Sequence, residues 1–255
     1  MMKYRITLFF AILMVGTLQA QPPKDYHLVW SDEFSGTQID TTSWSFETGD
    51  GGWGNNEKQY YTDGKNVDVR RGLLSIVVRK VGLKYTSARM VTKGKRIFKY
   101  GYMEIRAKIP AGLGTWPAIW MLGENITEKG WPACGELDIM EHVGKHPGYV
   151  HCSVHNLAGY GETPYTGIVQ IEHLFDSFHT YSLEWTEDKI SFAVDGKTVY
   201  RYTPERKTKE NWPFDLPMFF IFNVAVGGNW GGPTIDDSVF PQKMTVDYIR
   251  VYQKK

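Results

Sequence analysis

The chain has 255 residues, 42% hydrophobic and 15% aromatic, and sets 29 lysines and arginines against 28 aspartates and glutamates. A formal charge of +1 excludes the basic excess typical of nucleic-acid binders, and the length can bury a full β-domain core without disulfide staples. The nine tryptophans, 15 tyrosines and 13 phenylalanines stand out, because so many flat rings point to a use beyond core filling.

Residues 1–20, MMKYRITLFFAILMVGTLQA, read as a signal peptide. They have a basic start at Lys3 and Arg5, an apolar run from Ile6 to Leu18, and Leu18-Gln19-Ala20 as a small-residue cleavage site. No other apolar stretch approaches the roughly 20 residues of a spanning helix, and the residue after the cut is Gln21 rather than a lipid-anchoring Cys. A secreted or periplasmic protein with no transmembrane segment is expected, with residues 21–255 as one domain. Removing Lys3 and Arg5 leaves 27 basic against 28 acidic residues, a balance of −1.

Beyond the leader, helical periodicity is scarce, and β-type runs bounded by Gly, Pro, Asn and Asp recur. They predict strands at Tyr26–Trp30, Leu73–Lys80, Ser87–Thr92, Ile97–Ile109, Trp116–Leu122, Gly135–Val143 and Tyr149–His155. Further strands are predicted at His179–Trp185, Lys189–Val194, Thr198–Tyr202, Met218–Val226 and Lys243–Gln253. Asp195-Gly196 is a strong hairpin turn, and Gly227 to Pro233 reads as a loop. Many strands and almost no helix imply an all-β fold, one β-sandwich of jelly-roll type.

The segment Gly135 to Gly144, GELDIMEHVG, carries the chemistry. On a strand, Glu136 and Asp138 face one side while Leu137 and Ile139 face the other. Strict alternation sends Glu141 to the wrong face, so a one-residue bulge near Met140 is expected to return it to the acidic face. Glu136 and Glu141 then stand about 13 Å apart along the backbone, a span their side chains can close towards the roughly 5 Å of a retaining glycosidase. The competing reading is a surface strand with a solvated acidic face.

Trp116 and Trp120 share parity, so both rings face one side, either as sugar-stacking faces or as core tryptophans. His151, Ser153 and His155 likewise share a face beside the carboxylate strand; a metal site there lacks the four ligands of structural zinc. Cys134 has the facing of Glu136, whereas Cys152 faces away from His155, which predicts two free thiols rather than a disulfide.

Taken together the chain resembles glycoside hydrolase family 16, in the bulged form of its laminarinases. The likeness rests on GELDIMEHVG and on an ordered set of further motifs: Trp30 to Phe34, Trp53 to Glu57 with Gln59-Tyr60-Tyr61, Ser87-Ala88-Arg89, Tyr100 to Glu104, Gly114 to Trp120, Trp131-Pro132, Asn223 to Gly228 and Asp247 to Tyr252. The resemblance implies a concanavalin A-like jelly roll with an open substrate cleft. It implies Glu136 as nucleophile, Glu141 as general acid/base and Asp138 as the auxiliary acid between them. It makes Trp116, Trp120, His155, Arg89, Asn56, Trp53 and Glu57 substrate contacts. It also implies a structural calcium at Glu33, Gly72 and Asp247, with no cofactor required for catalysis. The activity expected is endo-hydrolysis of β-1,3-glucan with retention, by a monomer. The alternatives are a mixed-linkage β-1,3-1,4-glucanase, a galactan hydrolase, a metal hydrolase and a non-catalytic β-glucan-binding protein. His142, where Tyr is more usual, and Asn156 depart from the pattern and are expected to border the cleft.

Overall fold

A computed structural model describes residues 22–255; the signal peptide expected at 1–20 lies outside the described residues. The chain runs through β1 (Tyr26–Asp32), β2 (Ser45–Glu47), β3 (Gln59–Tyr61), β4 (Val67–Arg70), β5 (Leu73–Val81), β6 (Lys84–Ser87), β7 (Arg89–Val91), β8 (Ile97–Phe98) and β9 (Gly101–Lys108). It continues with β10 (Thr115–Gly123), the short helix α1 (Ile126–Lys129), β11 (Glu136–Glu141), β12 (Tyr149–His155), β13 (Thr166–Gln170), β14 (His179–Trp185), β15 (Ile190–Val194), β16 (Lys197–Tyr202) and β17 (Met218–Val226). A one-turn helix α2 (Gly228–Gly231) and the long β18 (Gln242–Lys254) complete it.

Among the described residues the strands form two sheets. One runs β16-β15-β14-β9-β18-β5-β6-β3, with β1 on β18 and β4 on β5; the other runs β13-β12-β11-β10-β17-β7-β2, with β8 on β17. Met103, Ile105, Ile249 and Val251 from the first sheet meet Ile119, Leu137, Phe220, Phe222 and Val224 from the second in one fully buried core. This is the expected jelly-roll sandwich, and its alternation leaves the other face of the second sheet free to carry polar and aromatic side chains.

Two predicted strands divide for one physical reason. Ser87–Thr92 breaks at Ala88, because β6 pairs in the first sheet and β7 in the second; Ile97–Ile109 breaks at Lys99-Tyr100, because β8 pairs with β17 while β9 pairs with β14 and β18. An apolar run does not reveal that its strand changes sheets. Tyr100, at φ 61°, turns that corner. Asp195, at φ 48°, and Gly196, at φ 75°, lie at the hairpin between β15 and β16.

Candidate active site

Strand β11 is bulged where the sequence requires it. Against β10, Met140 pairs with Ile119 and Asp138 with Trp120; against β12, Asp138 pairs with Ser153 and Glu141 with His151. Ile139 and Met140 therefore stand opposite Cys152 alone, and both pack in the core with Leu137. The extra residue turns Glu141 outward, and Glu136, Asp138 and Glu141 all line one cleft of about 800 Å³. The Cys152 thiol donates to the carbonyl of Ile139 at 3.2 Å. As the facing argument requires, both cysteines are free.

Each of the two catalytic glutamates has its own indole. Trp131 Nε1 donates to Glu136 Oε2 at 3.1 Å, and Trp116 Nε1 donates to Glu141 Oε1 at 2.9 Å. His155 Nε2 lies 3.0 Å from Asp138 Oδ2 and 3.7 Å from Glu136 Oε1, but Asp138 Oδ2 finds no aligned hydrogen bond. Burial, and then the neighbouring Asp138, push Glu136 and Glu141 up to about 8. Burial alone holds Asp138 well above the carboxylate range. His155 and then Arg89 oppose the rise at Glu136, and the Trp116 hydrogen bond and then His155 oppose it at Glu141.

Trp116 and Trp120 face the cleft on either side of Ala118, as their parity requires. Trp120 Nε1 donates to Asn223 Oδ1 at 2.7 Å. The Arg89 guanidinium sits between two indoles, 5.1 Å from Trp53 and 4.8 Å from Trp120, and its Nε donates to Glu47 at 2.6 Å. Glu57 also lines the cleft, held by Gln59, Tyr61 and Asn55, and burial raises its pKa.

Three placements differ from expectation. Asn56 is exposed and outside the cleft lining, bonded to Asn229, and it is Asn55 and Asn229 that line the cleft. Asn56 takes φ 55°, so the turn sends its side chain elsewhere than its neighbour's. His142 lies beneath the cleft rather than on its border, fully buried against Phe175 with Nδ1 on the Tyr149 carbonyl. Asn156 is buried too, bonded to the Tyr202 hydroxyl and the Asn211 carbonyl.

Trp131 and Trp230 were missing from the expected contacts. Trp230 stands edge-to-face with Trp116 and His151, with ring centroids 5.3 and 4.9 Å away. The signals were present, since Trp131 precedes Glu136 by five residues and Trp230 interrupts a glycine run, but neither carries a strand period that would aim it.

Two groups bear on metals. Donor atoms of Glu136, Asp138 and His155 lie within 4.8 Å of one another. On the opposite sheet, the register brings the chain after β1, the start of β5 and Asp247 of β18 to one place. There the Glu33 carboxylate is taken by Arg250 and one oxygen of Asp247 by Arg106. Calcium takes six to eight oxygen donors, and backbone carbonyls such as those of Glu33 and Gly72 and a carboxylate oxygen such as that of Asp247 are of that kind.

A jelly roll with paired glutamates flanking an aspartate in an aromatic cleft is the architecture of a glycoside hydrolase. The chain belongs to glycosyl hydrolases family 16, whose model matches residues 54–250. It is 42% identical to a β-glucanase of Rhodothermus marinus, over 98% of this chain and 93% of that protein. The laminarinase from Flavobacterium sp. UMI-01 superposes with a TM-score of 0.87 at 50% identity, covering 89% of this chain and all of that one. SCLam, a non-specific endo-β-1,3(4)-glucanase, superposes at 0.87 with 42% identity, over 92% of this chain and 94% of that one. Among the described residues no helix is long and apolar enough to cross a membrane.

Proposed function

We propose that the protein is a secreted or periplasmic endo-β-1,3-glucanase of laminarinase type that acts as a monomer on internal bonds of β-glucan by double displacement with retention. The observation that carries this reading is the bulge in β11, which sets Glu136 and Glu141 on one face with an indole N–H on each. Glu136 attacks the anomeric carbon while Glu141 gives its proton to the departing oxygen. Esterification removes the charge of Glu136, which lowers the proton affinity of Glu141 and lets it deprotonate the incoming water. Asp138 lies between them, with His155 Nε2 3.0 Å from its carboxylate. Trp116, Trp120, Trp53, Arg89, Glu57 and His155 contact the glucan. The near-zero net charge suits a neutral polymer better than a sulfated one.

The names of the relatives support the substrate class, and they divide over linkage. A panel of laminarin, barley mixed-linkage glucan and agar, with product analysis, decides it. Internal cleavage of laminarin with retained anomeric configuration is expected; inertness on both glucans would overturn the reading. Calcium at Glu33, Gly72 and Asp247 would act on stability alone, from the sheet opposite the cleft. Chelation should then lower Tm while leaving kcat at low temperature unchanged.

A further inference from the structure

Glu141 belongs to a closed ring of side chains carried by β11, β12, α2 and β10. On β11 it pairs in register with His151 of β12. The His151 ring meets Trp230 of α2 edge-to-face, with centroids 4.9 Å apart at 87°, and Trp230 meets Trp116 of β10 edge-to-face, at 5.3 Å and 84°. Trp116 closes the ring with its 2.9 Å bond to Glu141 Oε1. Trp230 depends on these neighbours: among the described residues its indole makes no hydrogen bond and no further ring contact. It also rises from a glycine run in which Gly227, Gly228 and Gly232 all take positive φ.

His151 is an unexpected residue for that place. It is 8% exposed, and its Nε2 is buried without a hydrogen-bond partner among the described residues, which costs free energy and gains no bond. Burial, and then His146 and His142, lower its pKa to about 4, so the ring is uncharged where Glu141, pushed up to about 8, exchanges its proton. The position therefore uses the flat ring rather than the nitrogen or a charge. Edge-to-face contact fixes the angle of the neighbouring ring, and an aliphatic side chain of similar bulk does not. We propose that His151 is a positioning residue for the acid/base: its ring seats Trp230, Trp230 seats Trp116, and Trp116 holds Glu141 in line with the departing oxygen. The inference rests on the double-displacement reading above.

This path of contacts bears on the steps that move a proton at Glu141. When the glycosidic bond breaks, its electron pair leaves with the departing oxygen and the Glu141 proton passes to that oxygen. A Trp116 that has lost its seat leaves the carboxyl free to turn out of line, and it withdraws the hydrogen bond that opposes the rise of the Glu141 pKa. The other titratable groups facing Glu141 are Glu136 and Asp138 on its own strand, His155 on β12, Glu57 ahead of β3 and Lys145 in the loop after β11, with His146 stacked beside His151. A change at His151 leaves all of them in place.

Two variants of the full chain test the assignment: His151→Phe, which keeps the ring, and His151→Leu, which keeps only apolar bulk. Each is assayed on laminarin and on a dinitrophenyl β-laminaribioside, whose departing phenolate needs no proton. His151→Leu should lower kcat/KM on laminarin about three- to fivefold and move its alkaline limb upward by a few tenths of a pH unit, while kcat/KM on the dinitrophenyl substrate stays within about twofold. His151→Phe should bring laminarin turnover back to within about twofold of wild type and return the limb to its place. In a Trp230→Leu background, His151→Leu should add less than about twofold, because the two residues lie on one path. Phe and Leu variants that behave alike, a limb unmoved in His151→Leu, parallel losses on the two substrates, or a full additional loss in the Trp230→Leu background would overturn the inference. A wild-type enzyme inert on both substrates would instead remove the double-displacement reading beneath it.

Discussion

Glu104 on β9 and Asp138 on β11 are each 2% exposed and point outward from opposite sheets, yet their surroundings differ. Glu104 receives the hydroxyl of Tyr248 at 2.8 Å and that of Tyr102 at 3.2 Å, so burial raises its pKa against the pull of two phenols and Arg250. Asp138 has no aligned donor on its buried oxygen, and burial acts on it unopposed. Its strand neighbours Glu136 and Glu141 have one indole N–H each, and both are pushed up to about 8. A buried acid supplied with donors is a structural part; buried acids left short of donors hold protons they can give away.

Removing the acid from each place should have opposite consequences. The largest expected effect is on turnover: Glu136→Gln should lower kcat by at least about 10³-fold while oligosaccharide binding persists, since the isosteric amide keeps the cleft's shape but cannot form the ester. Wild-type-like turnover would refute the nucleophile assignment. The same variant should be more stable than wild type. Below pH 4.5 the glutamate is protonated whether the chain is folded or unfolded. Between 4.5 and about 8 the folded state holds the proton and the unfolded state releases it, so wild-type stability falls as pH rises through that window. Gln has no such dependence. At pH 8 we expect a gain of about 1–3 kcal/mol, or roughly 3–9 °C in Tm, that vanishes near pH 4. A variant equally or less stable at pH 8 would break the comparison.

On the other sheet, Glu104→Ala removes the carboxylate that two phenol hydroxyls bond and leaves a void, at a cost of about 2–3 kcal/mol. The expected result is a Tm lowered by roughly 5–10 °C with kcat of the folded enzyme unchanged. A loss of kcat at temperatures where the variant is fully folded would give Glu104 a part in the chemistry.

The difference between the two acids was only half legible in the sequence. Alternation in GELDIMEHVG placed Glu136 and Asp138, and the mismatch at Glu141 demanded a bulge, because a strand has a strict period and a violation of it is visible. The sandwich itself followed from the strand runs, although β2, β3, β4, all of β6 but Ser87, and β13 escaped notice. These strands are short or lie at sheet edges, where partners rather than side-chain pattern decide pairing. Trp230 and Asn55 could not be aimed from sequence, since the turns that hold them have no period. The phenols that satisfy Glu104 lie on β9 and β18, and the distance between those strands along the chain hides their pairing.

The smallest effect probes how one donor tunes an otherwise undersupplied acid. The bond from Trp116 Nε1 lowers the proton affinity of Glu141 against the rise caused by burial. Trp116→Phe keeps an aromatic face toward Trp230 but deletes that donor. Without it Glu141 should hold its proton to higher pH, so the alkaline limb of kcat/KM, expected near 8 in the wild type because burial raises Glu141 to about 8, should move upward by a few tenths of a pH unit. The rate on the plateau should fall about three- to tenfold, the worth of one hydrogen bond to an ionising group. A purely packing role for Trp116 would lower the rate and leave the limb in place. A limb that moved downward would mean that the indole stabilises the protonated acid, and Glu141 could not then be the proton donor whose affinity this bond moderates.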